Sequence, residues 1–397
     1  MTAGHPLRIA LVAGELSGDN LGAGFIRAVR ARRPDAQFFG IAGPRMQAEG
    51  CECWEPSESL AVMGLFEVLS HLPRLLRLRR HMRARLLAAR PDVFVGIDAP
   101  EFNLNLAPAL HDARIPTVQY VSPQVWAWRQ GRVARMAGFL DLVLCLLPFE
   151  KRFYDEHGLA AVFVGHPLAD QVPLQPDRAR ARETLGLPAE AEVVAVLPGS
   201  RRGEVSRLAA DFAGATALLA ARRPGTRFVA PMANADAREL FGAALAARAP
   251  GVPCLVLDGH AQLALTAADA VLVASGTATL ETLLCKRPMV VAYRLGALTA
   301  WMLGHLGLMK APYFAQPNLL AGRQVVPEIF QREVTPERLA GELERWLDQP
   351  AAREELAALF LGIHQELQRG ASHRAAEAVM QLLEGSDATP RGARRGV

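Results

Sequence analysis

The sequence predicts an α/β protein of two consecutive doubly wound halves, each a parallel sheet covered by helices. Three observations carry that expectation. Short apolar runs alternate with longer amphipathic stretches, the pattern of strand–helix units on a parallel sheet. The first run, Leu7–Ala13, opens into a glycine-rich turn, Gly14–Gly24, and then a helix through Arg33. A second series starts near Val193, and the 397 residues divide naturally into two domain-sized parts.

In the first half, Phe38–Ile41, Asp92–Asp98, Thr117–Ser122, Leu142–Leu147 and Ala161–Val164 read as the further strands. Gly165-His-Pro-Leu168 breaks the series, and prolines and polar residues cluster over Pro167–Pro176. The boundary is placed there, giving a first domain over 1–168 and a second over 169–364. Val193–Leu197, Arg227–Ala230, Cys254–Leu257, Ala270–Ala274 and Pro288–Ala292 are the strands of the second series, with alanine-rich helices between them. From Thr335 the chain reads as helical to about Glu384, and residues 386–397 as a disordered basic tail.

Composition narrows the function classes. Apolar residues make up 51% and charged residues 21%, so a real core is available and a disordered chain is excluded. The formal charge of +4 is small, and the basic run is not interleaved with stacking aromatics, which argues against nucleic acid as a partner. Only Lys151, Lys286 and Lys310 are lysines among 44 cationic residues. That bias fits either phosphate binding or codon composition. The five cysteines, Cys51, Cys53, Cys145, Cys254 and Cys285, form no CxxC pair or Cys/His cluster, so neither a metal nor a disulfide framework is expected. The N-terminal stretch does not read as a secretory signal, and no membrane-spanning segment is expected, since no run of 18 uncharged apolar residues occurs.

In open parallel sheets ligands bind beyond the carboxyl ends of strands, at helix N-termini. The turn after the first strand holds Glu15, Ser17 and Asp19; either of the last two could cap the helix, which leaves Glu15 unexplained. The turn is neither GxGxxG nor a P-loop, which disfavours a dehydrogenase and a P-loop NTPase. Asp98 ends an apolar strand, where it reads equally as a general base in a cleft or as a helix cap or turn-forming residue. Ser122, Gln124 and Trp126, with Trp128 and Arg129, suit a sugar face or an acyl chain, or else cover a core edge. Leu197-Pro-Gly199-Ser200-Arg201 and Ser275-Gly276-Thr277 both sit between a strand and a helix, as phosphate-binding turns do, with Glu281 one turn further on.

Two stretches bear on membranes. His71–Arg85 contains six arginines and no acid, with Leu72, Leu75, Leu76, Met82 and Leu86 on one helical side. Leu295–Met309 lacks charged side chains, is too short to span, and is followed by Lys310, Tyr313 and Phe314. Segments 71–86 and 295–314 thus read as a dock on an anionic membrane surface or as ordinary packing.

Seven separated motifs then resemble the lipid-A-disaccharide synthases, glycosyltransferase family 19. They are GELSGD at 14–19, GIDAPEFN at 96–103, VSPQVWAWR at 121–129, FVGHPLAD at 163–170, LPGSR at 197–201, GTATLE at 276–281 and QPNLLAGRQVVPE at 316–328. The resemblance implies the GT-B fold: two Rossmann-like domains facing a cleft, with a C-terminal helix, about 365–385, crossing back to the first. It implies an inverting, metal-independent transfer without cofactor, in which UDP-2,3-diacylglucosamine and 2,3-diacylglucosamine 1-phosphate (lipid X) give a β-1,6-linked disaccharide and UDP. Asp98 then matches the base; Ser200, Arg201, Gly276, Thr277, Glu281 and Asn318 match the nucleotide side; Glu15, Ser17, Asp19, Ser122, Gln124 and Trp126 match the acceptor side. The same resemblance implies a peripheral enzyme on the cytoplasmic face of the inner membrane of a Gram-negative bacterium, and leaves a homodimer open. Another GT-B enzyme, acting on a different lipid acceptor or as a UDP-sugar 2-epimerase, is the competing expectation.

Overall fold

Strand β1 (Arg8–Ala13) is buried at five of its six residues, as the middle of a parallel sheet requires, which is why it reads as an unbroken apolar run. The computed structural model describes residues 5–60, 65–123, 131–296 and 313–388. Inter-residue contacts divide the chain into unit 1, Met1–Asp170 with Leu367–Val397, and unit 2, Gln171–Glu366.

Unit 1 holds β1, β2 (Gln37–Ala42), β3 (Cys51–Pro56), β4 (Val93–Ile97), β5 (Thr117–Tyr120), β6 (Leu142–Cys145) and β7 (Ala161–Phe163). They pair in parallel in the order β3-β2-β1-β4-β5-β6-β7. The chain walks outward from β1 to β3 and then returns to the other side of β1, so the topological switch point lies between β1 and β4. Strand β3 was not legible as a strand: its sequence, CECWEP, carries glutamates at an edge, where one flank is solvated.

The helices of this unit are α1 (Glu15–Arg30), α2 (Pro44–Ala48), α3 (Leu65–Ala89), α4 (Pro100–Asp112), α5 (Arg132–Ala137), α6 (Pro148–Glu156) and α7 (Pro167–Gln171). In α3, Met82 and Leu86 are fully buried in one cluster with Val12, Phe39 and Phe94, whereas Leu72 stays 43% exposed. The second half of the expected apolar stripe is therefore core packing.

The C-terminal helix returns to unit 1. Its residues Ala371, Ala375, Ala376 and Val379 share a core with Phe25, Ile26 and Val29 of α1. Helix α16 (Ala371–Ala388) continues past residue 386, where the tail was expected to begin; the remainder of that tail lies outside the described residues. The Asp170 carboxylate caps α16 by accepting from the Gly370 and Ala371 N–H groups at 2.8 and 2.7 Å. Beside it, the His166 N–H donates to the Leu367 carbonyl at 2.9 Å.

His166 also carries a pH signature. Its Nδ1 accepts from the Leu168 N–H at 3.2 Å, so the neutral ring bears its proton on Nε2. Burial pulls the imidazole down from 6.5 to about 4. Between those values the unfolded chain binds the proton and the folded one does not. Stability from this residue is complete above the unfolded value and drains away on acidification, by about 3 kcal/mol at the lower limit. Urea unfolding from neutral pH down to pH 4 should show that loss in wild type, and a His166→Gln variant should lack it.

Unit 2 repeats the same walk. Strands β8 (Val193–Leu197), β9 (Arg227–Met232), β10 (Cys254–Asp258), β11 (Ala270–Ala274), β12 (Met289–Tyr293) and β13 (Glu328–Phe330) are ordered β10-β9-β8-β11-β12-β13, with the switch point between β8 and β11. Its helices are α8 (Arg178–Thr184), α9 (Arg202–Arg222), α10 (Ala235–Arg248), α11 (Ala261–Ala267), α12 (Thr277–Leu284), α13 (Gln316–Ala321), α14 (Pro336–Asp348) and α15 (Pro350–Leu367). One polar knot braces its base. Arg182, 2% exposed, donates to Asp269 Oδ2 at 2.7 Å, and the same oxygen accepts from the Val193 N–H at 2.8 Å. Arg178 pairs with the other Asp269 oxygen. Among the described residues no helix is long and apolar enough to cross a membrane, and all five cysteines are free thiols.

Candidate active site

Strain marks the switch point of unit 1. Glu15, Asp98, Ala99 and Val121 have φ values of 55°, 54°, 40° and 75°, and they sit just beyond β1, β4 and β5. Left-handed geometry costs a non-glycine residue about 1–2 kcal/mol, and a β-branched one such as Val121 is a genuine outlier. Such residues persist where the surrounding structure over-determines them, and they gather at functional sites.

The over-determination is visible around Asp98. Its N–H donates to the Tyr120 carbonyl at 2.9 Å. Its own carbonyl accepts from Asn103 Nδ2 at 2.9 Å and Gln119 Nε2 at 3.1 Å. Both amides are 1% exposed, so Asp98 is clamped from within the fold. Asn103 comes this close because Gly96 has no side chain; a Cβ there would stand 2.7 Å from that of Asn103. Gly14 makes the equivalent allowance for Ala99, whose Cβ would be 2.8 Å away. With the backbone fixed, the Asp98 carboxylate is left partly exposed, and its Oδ2 accepts from Ser17 Oγ at 3.2 Å. The helix-cap alternative for Asp98 falls away, because α4 has no side-chain cap.

The other acceptor-side candidates part company. Glu15 and Ser17 are exposed in the first turn of α1. Asp19 does not cap α1, which has no side-chain cap either. It is 1% exposed, and both its oxygens accept from α2, from the Arg45 and Met46 N–H groups at 2.9 Å each. Ser122 is likewise buried, with its hydroxyl 3.0 Å from that of Tyr154. Asp19 and Ser122 are thus spent on the fold. Gln124 and Trp126 lie outside the described residues. Asn103 and Gln119 were not among the expected site residues; the signal for them was a carboxamide placed in an otherwise apolar helix face and strand.

In unit 2 both expected anion turns flank the switch point. Ser200 and Arg201 stand between β8 and α9, with their N–H groups aimed at Glu204 Oε2, each at 3.4 Å. The turn therefore already faces a carboxylate, held by long bonds. Gly276 and Thr277 are exposed at the start of α12. Glu281 is partly buried, burial pushes its carboxyl above the usual range, and its side chain has no hydrogen bond among the described residues. Such a group suits a hydroxyl donor brought by a ligand.

Asn318 corrects its expectation. It is fully buried, donating to the Val326 carbonyl at 3.0 Å and Glu328 Oε1 at 2.7 Å, and accepting from the Val325 and Val326 N–H groups at 2.7 and 3.0 Å. That is the whole capacity of a carboxamide, so Asn318 pins its loop and has nothing left for a nucleotide. Glu328 joins it, accepting from the Phe314 and Ala315 N–H groups at 3.0 Å each. Tyr293, Phe314 and Phe330 gather at this edge with centroids 5.7–6.0 Å apart. Among the described residues no three His, Cys, Asp or Glu side chains group as metal ligands.

Two parallel sheets of one topology, each with its polar turns at the switch point, define the two-domain α/β class called GT-B, and solved structures of that class match along nearly the whole chain. The glycotransferase of kitacinnamycin superposes with a TM-score of 0.61 at 19% identity, covering 96% of this chain and all of that one. UDP-GlcNAc 2-epimerase from Neisseria meningitidis, bound to UDP-GlcNAc, gives 0.62 at 11% identity over 94% of this chain and all of the other. The sequence is more specific. The family described as lipid-A-disaccharide synthetase matches residues 9–381. Lipid-A-disaccharide synthase of Pseudomonas aeruginosa (strain UCBPP-PA14) is 54% identical over 378 residues, 95% of this chain and 98% of that one. The enzyme of Serratia proteamaculans (strain 568) is 50% identical over 380 residues, 96% and 99% of the two chains. The chain belongs to the lipid-A-disaccharide synthase family.

Proposed function

We propose that the chain joins UDP-2,3-diacylglucosamine to the 6-hydroxyl of 2,3-diacylglucosamine 1-phosphate in one inverting displacement. The observation that carries this reading is the Asp98 carboxylate, presented at a strained switch point beside Ser17. Asp98 takes the proton of the acceptor hydroxyl as that oxygen attacks the anomeric carbon. The bond from that carbon to the diphosphate breaks on the opposite face, and UDP leaves with the electron pair. N–H groups of Ser200, Arg201, Gly276 and Thr277 and the Arg201 guanidinium meet the charge that develops, in a reaction we take to be metal-independent. The diphosphate displaces Glu204 from its loosely held turn, Glu281 accepts from the ribose, and the Tyr293–Phe314–Phe330 cluster offers a face to the base.

The direct test measures UDP released from the donor with and without acceptor, in EDTA. Release that requires the acceptor and survives EDTA supports the reading. Release without acceptor would move the chain to the epimerase class, and loss of release in EDTA would end the metal-independent mechanism.

Both substrates carry acyl chains, and the exposed face of α3 gives the means of reaching them at the cytoplasmic face of a membrane. Arg80 and Arg83 are exposed there, whereas Arg85 lies over the Trp54 ring at 4.1 Å and serves the fold. Replacing Arg80 and Arg83 with Glu is expected to weaken binding to vesicles rich in anionic lipid several-fold, as salt does. Unchanged sedimentation with such vesicles would remove α3 from the dock. The segment 295–314, the other expected contact, falls mostly outside the described residues.

A further inference from the structure

A cavity of about 300 Å³ opens on unit 1 between the β3 edge and α3. It is lined by Arg74, Arg77 and His81 on three successive turns of the helix, by Leu78, and by Glu55 and Ser59 across from them. Ser59 is 7% exposed and its hydroxyl has no hydrogen bond among the described residues. The two guanidiniums are exposed and take no carboxylate within ion-pair distance among the described residues, Glu55 included. Arg85, two turns on, behaves differently: it is committed to Glu52 and Trp54. A pocket in which two guanidiniums meet no carboxylate and a hydroxyl has no protein partner suits an oxyanion with several acceptor oxygens.

Its position narrows the class of ligand. Ser59 belongs to the 3₁₀ turn Ser57–Leu60, and Leu60 lies against Gly14, which in turn lies against Ala99, the neighbour of Asp98. The cavity is thus linked to the candidate base through Leu60, Gly14 and Ala99. Leu78, and beyond it the exposed Leu72, add an apolar margin on the same helix.

We propose that this cavity is an anion subsite for the phosphomonoester of the acceptor glycolipid. The pocket holds the sugar phosphate while the hydroxyl at the other end of the sugar is presented to Asp98. The proposal rests on the reading of unit 1 as the acceptor side. It assigns Arg74 and Arg77 to recognition of one phosphate group and separates them from Arg80 and Arg83, which face a membrane.

The test uses the full chain in micelles of a neutral detergent, which remove any anionic surface. Binding of 2,3-diacylglucosamine 1-phosphate and of the same lipid without its phosphate is measured directly for wild type, Arg74→Gln/Arg77→Gln, and Arg74→Lys/Arg77→Lys. Wild type is expected to prefer the phosphorylated lipid at least tenfold; the Gln pair should lose that preference and the Lys pair keep part of it. In turnover, the Gln pair should raise KM for the phosphorylated acceptor by a similar factor with little change in kcat. Inorganic phosphate, as a competitor, should bind wild type far more weakly than the lipid; equal affinity would make the site one for free phosphate and overturn the assignment. Equal binding of the two lipids by wild type, or a preference that survives the Gln pair, overturns it also. Retained preference without any transfer would leave the subsite standing and remove the proposed reaction instead. Circular dichroism of each variant checks that the fold is intact.

Discussion

Asp98→Asn is expected to lower acceptor-dependent UDP release by at least about 10²-fold while leaving UDP affinity and thermal stability near wild type. The substitution isolates the proton acceptor. Asparagine has the size of aspartate, tolerates the left-handed conformation that Asp98 adopts at φ 54°, and can still accept from Ser17 Oγ. The clamp from Asn103 and Gln119 acts on the main-chain carbonyl and is untouched. Only the capacity to take a proton from the acceptor hydroxyl goes. Steady-state kinetics at saturating donor would report it as a fall in kcat. A variant with activity within about threefold of wild type would make Asp98 a positioning residue, since general bases contribute about 10²–10⁴-fold. Ser17→Ala is the companion measurement, with a smaller loss, because it removes one hydrogen bond and keeps the base.

The largest effect on stability is expected at Asp269. Asp269→Ala should cost unit 2 about 3–5 kcal/mol, the range for breaking a buried ion pair from one side. Arg182 would keep its donations to the Ala267 and Ala191 carbonyls, at 3.0 and 2.9 Å, but would carry an uncompensated charge at 2% exposure. The Val193 N–H, at the first residue of β8, would lose its acceptor as well. Urea denaturation should show the transition of unit 2 moving to lower denaturant ahead of that of unit 1. If both transitions stay in place, the pair contributes far less than its burial implies.

The parts of the fold that could be read from sequence were those with a single physical demand. β1, β4 and β11 are buried along their length and appear as plain apolar runs. β3 and β13 are edge strands, one rich in glutamate and the other three residues long, and neither leaves a periodic trace. Asp98 ends such a run, where base and cap or turn read equally; the absence of a side-chain cap on α4 and the clamp on its main chain are visible only in the structure. Asp19, Ser122 and Asn318 were grouped with the site because they fall inside motifs, but a motif gives no direction to a side chain. Their polar atoms turn inward, to α2, to Tyr154 and to the 325–328 loop. The left-handed backbone at Asp98 and Val121 has no sequence signature at all, since nothing but the tertiary clamp pays for it.

The return of α16 to unit 1 has a consequence for how the chain is made. A ribosome delivers every strand of the first sheet early, yet Ala371, Ala375, Ala376 and Val379, which cover Phe25, Ile26 and Val29, emerge last. All of unit 2, Gln171–Glu366, which has a core of its own, is synthesised in between. Throughout that interval the nascent first sheet offers an uncovered apolar face on α1, the kind of surface that chaperones hold. Any stop codon before residue 371 would leave that face permanently bare, so a truncated chain with an intact second core should aggregate through its first.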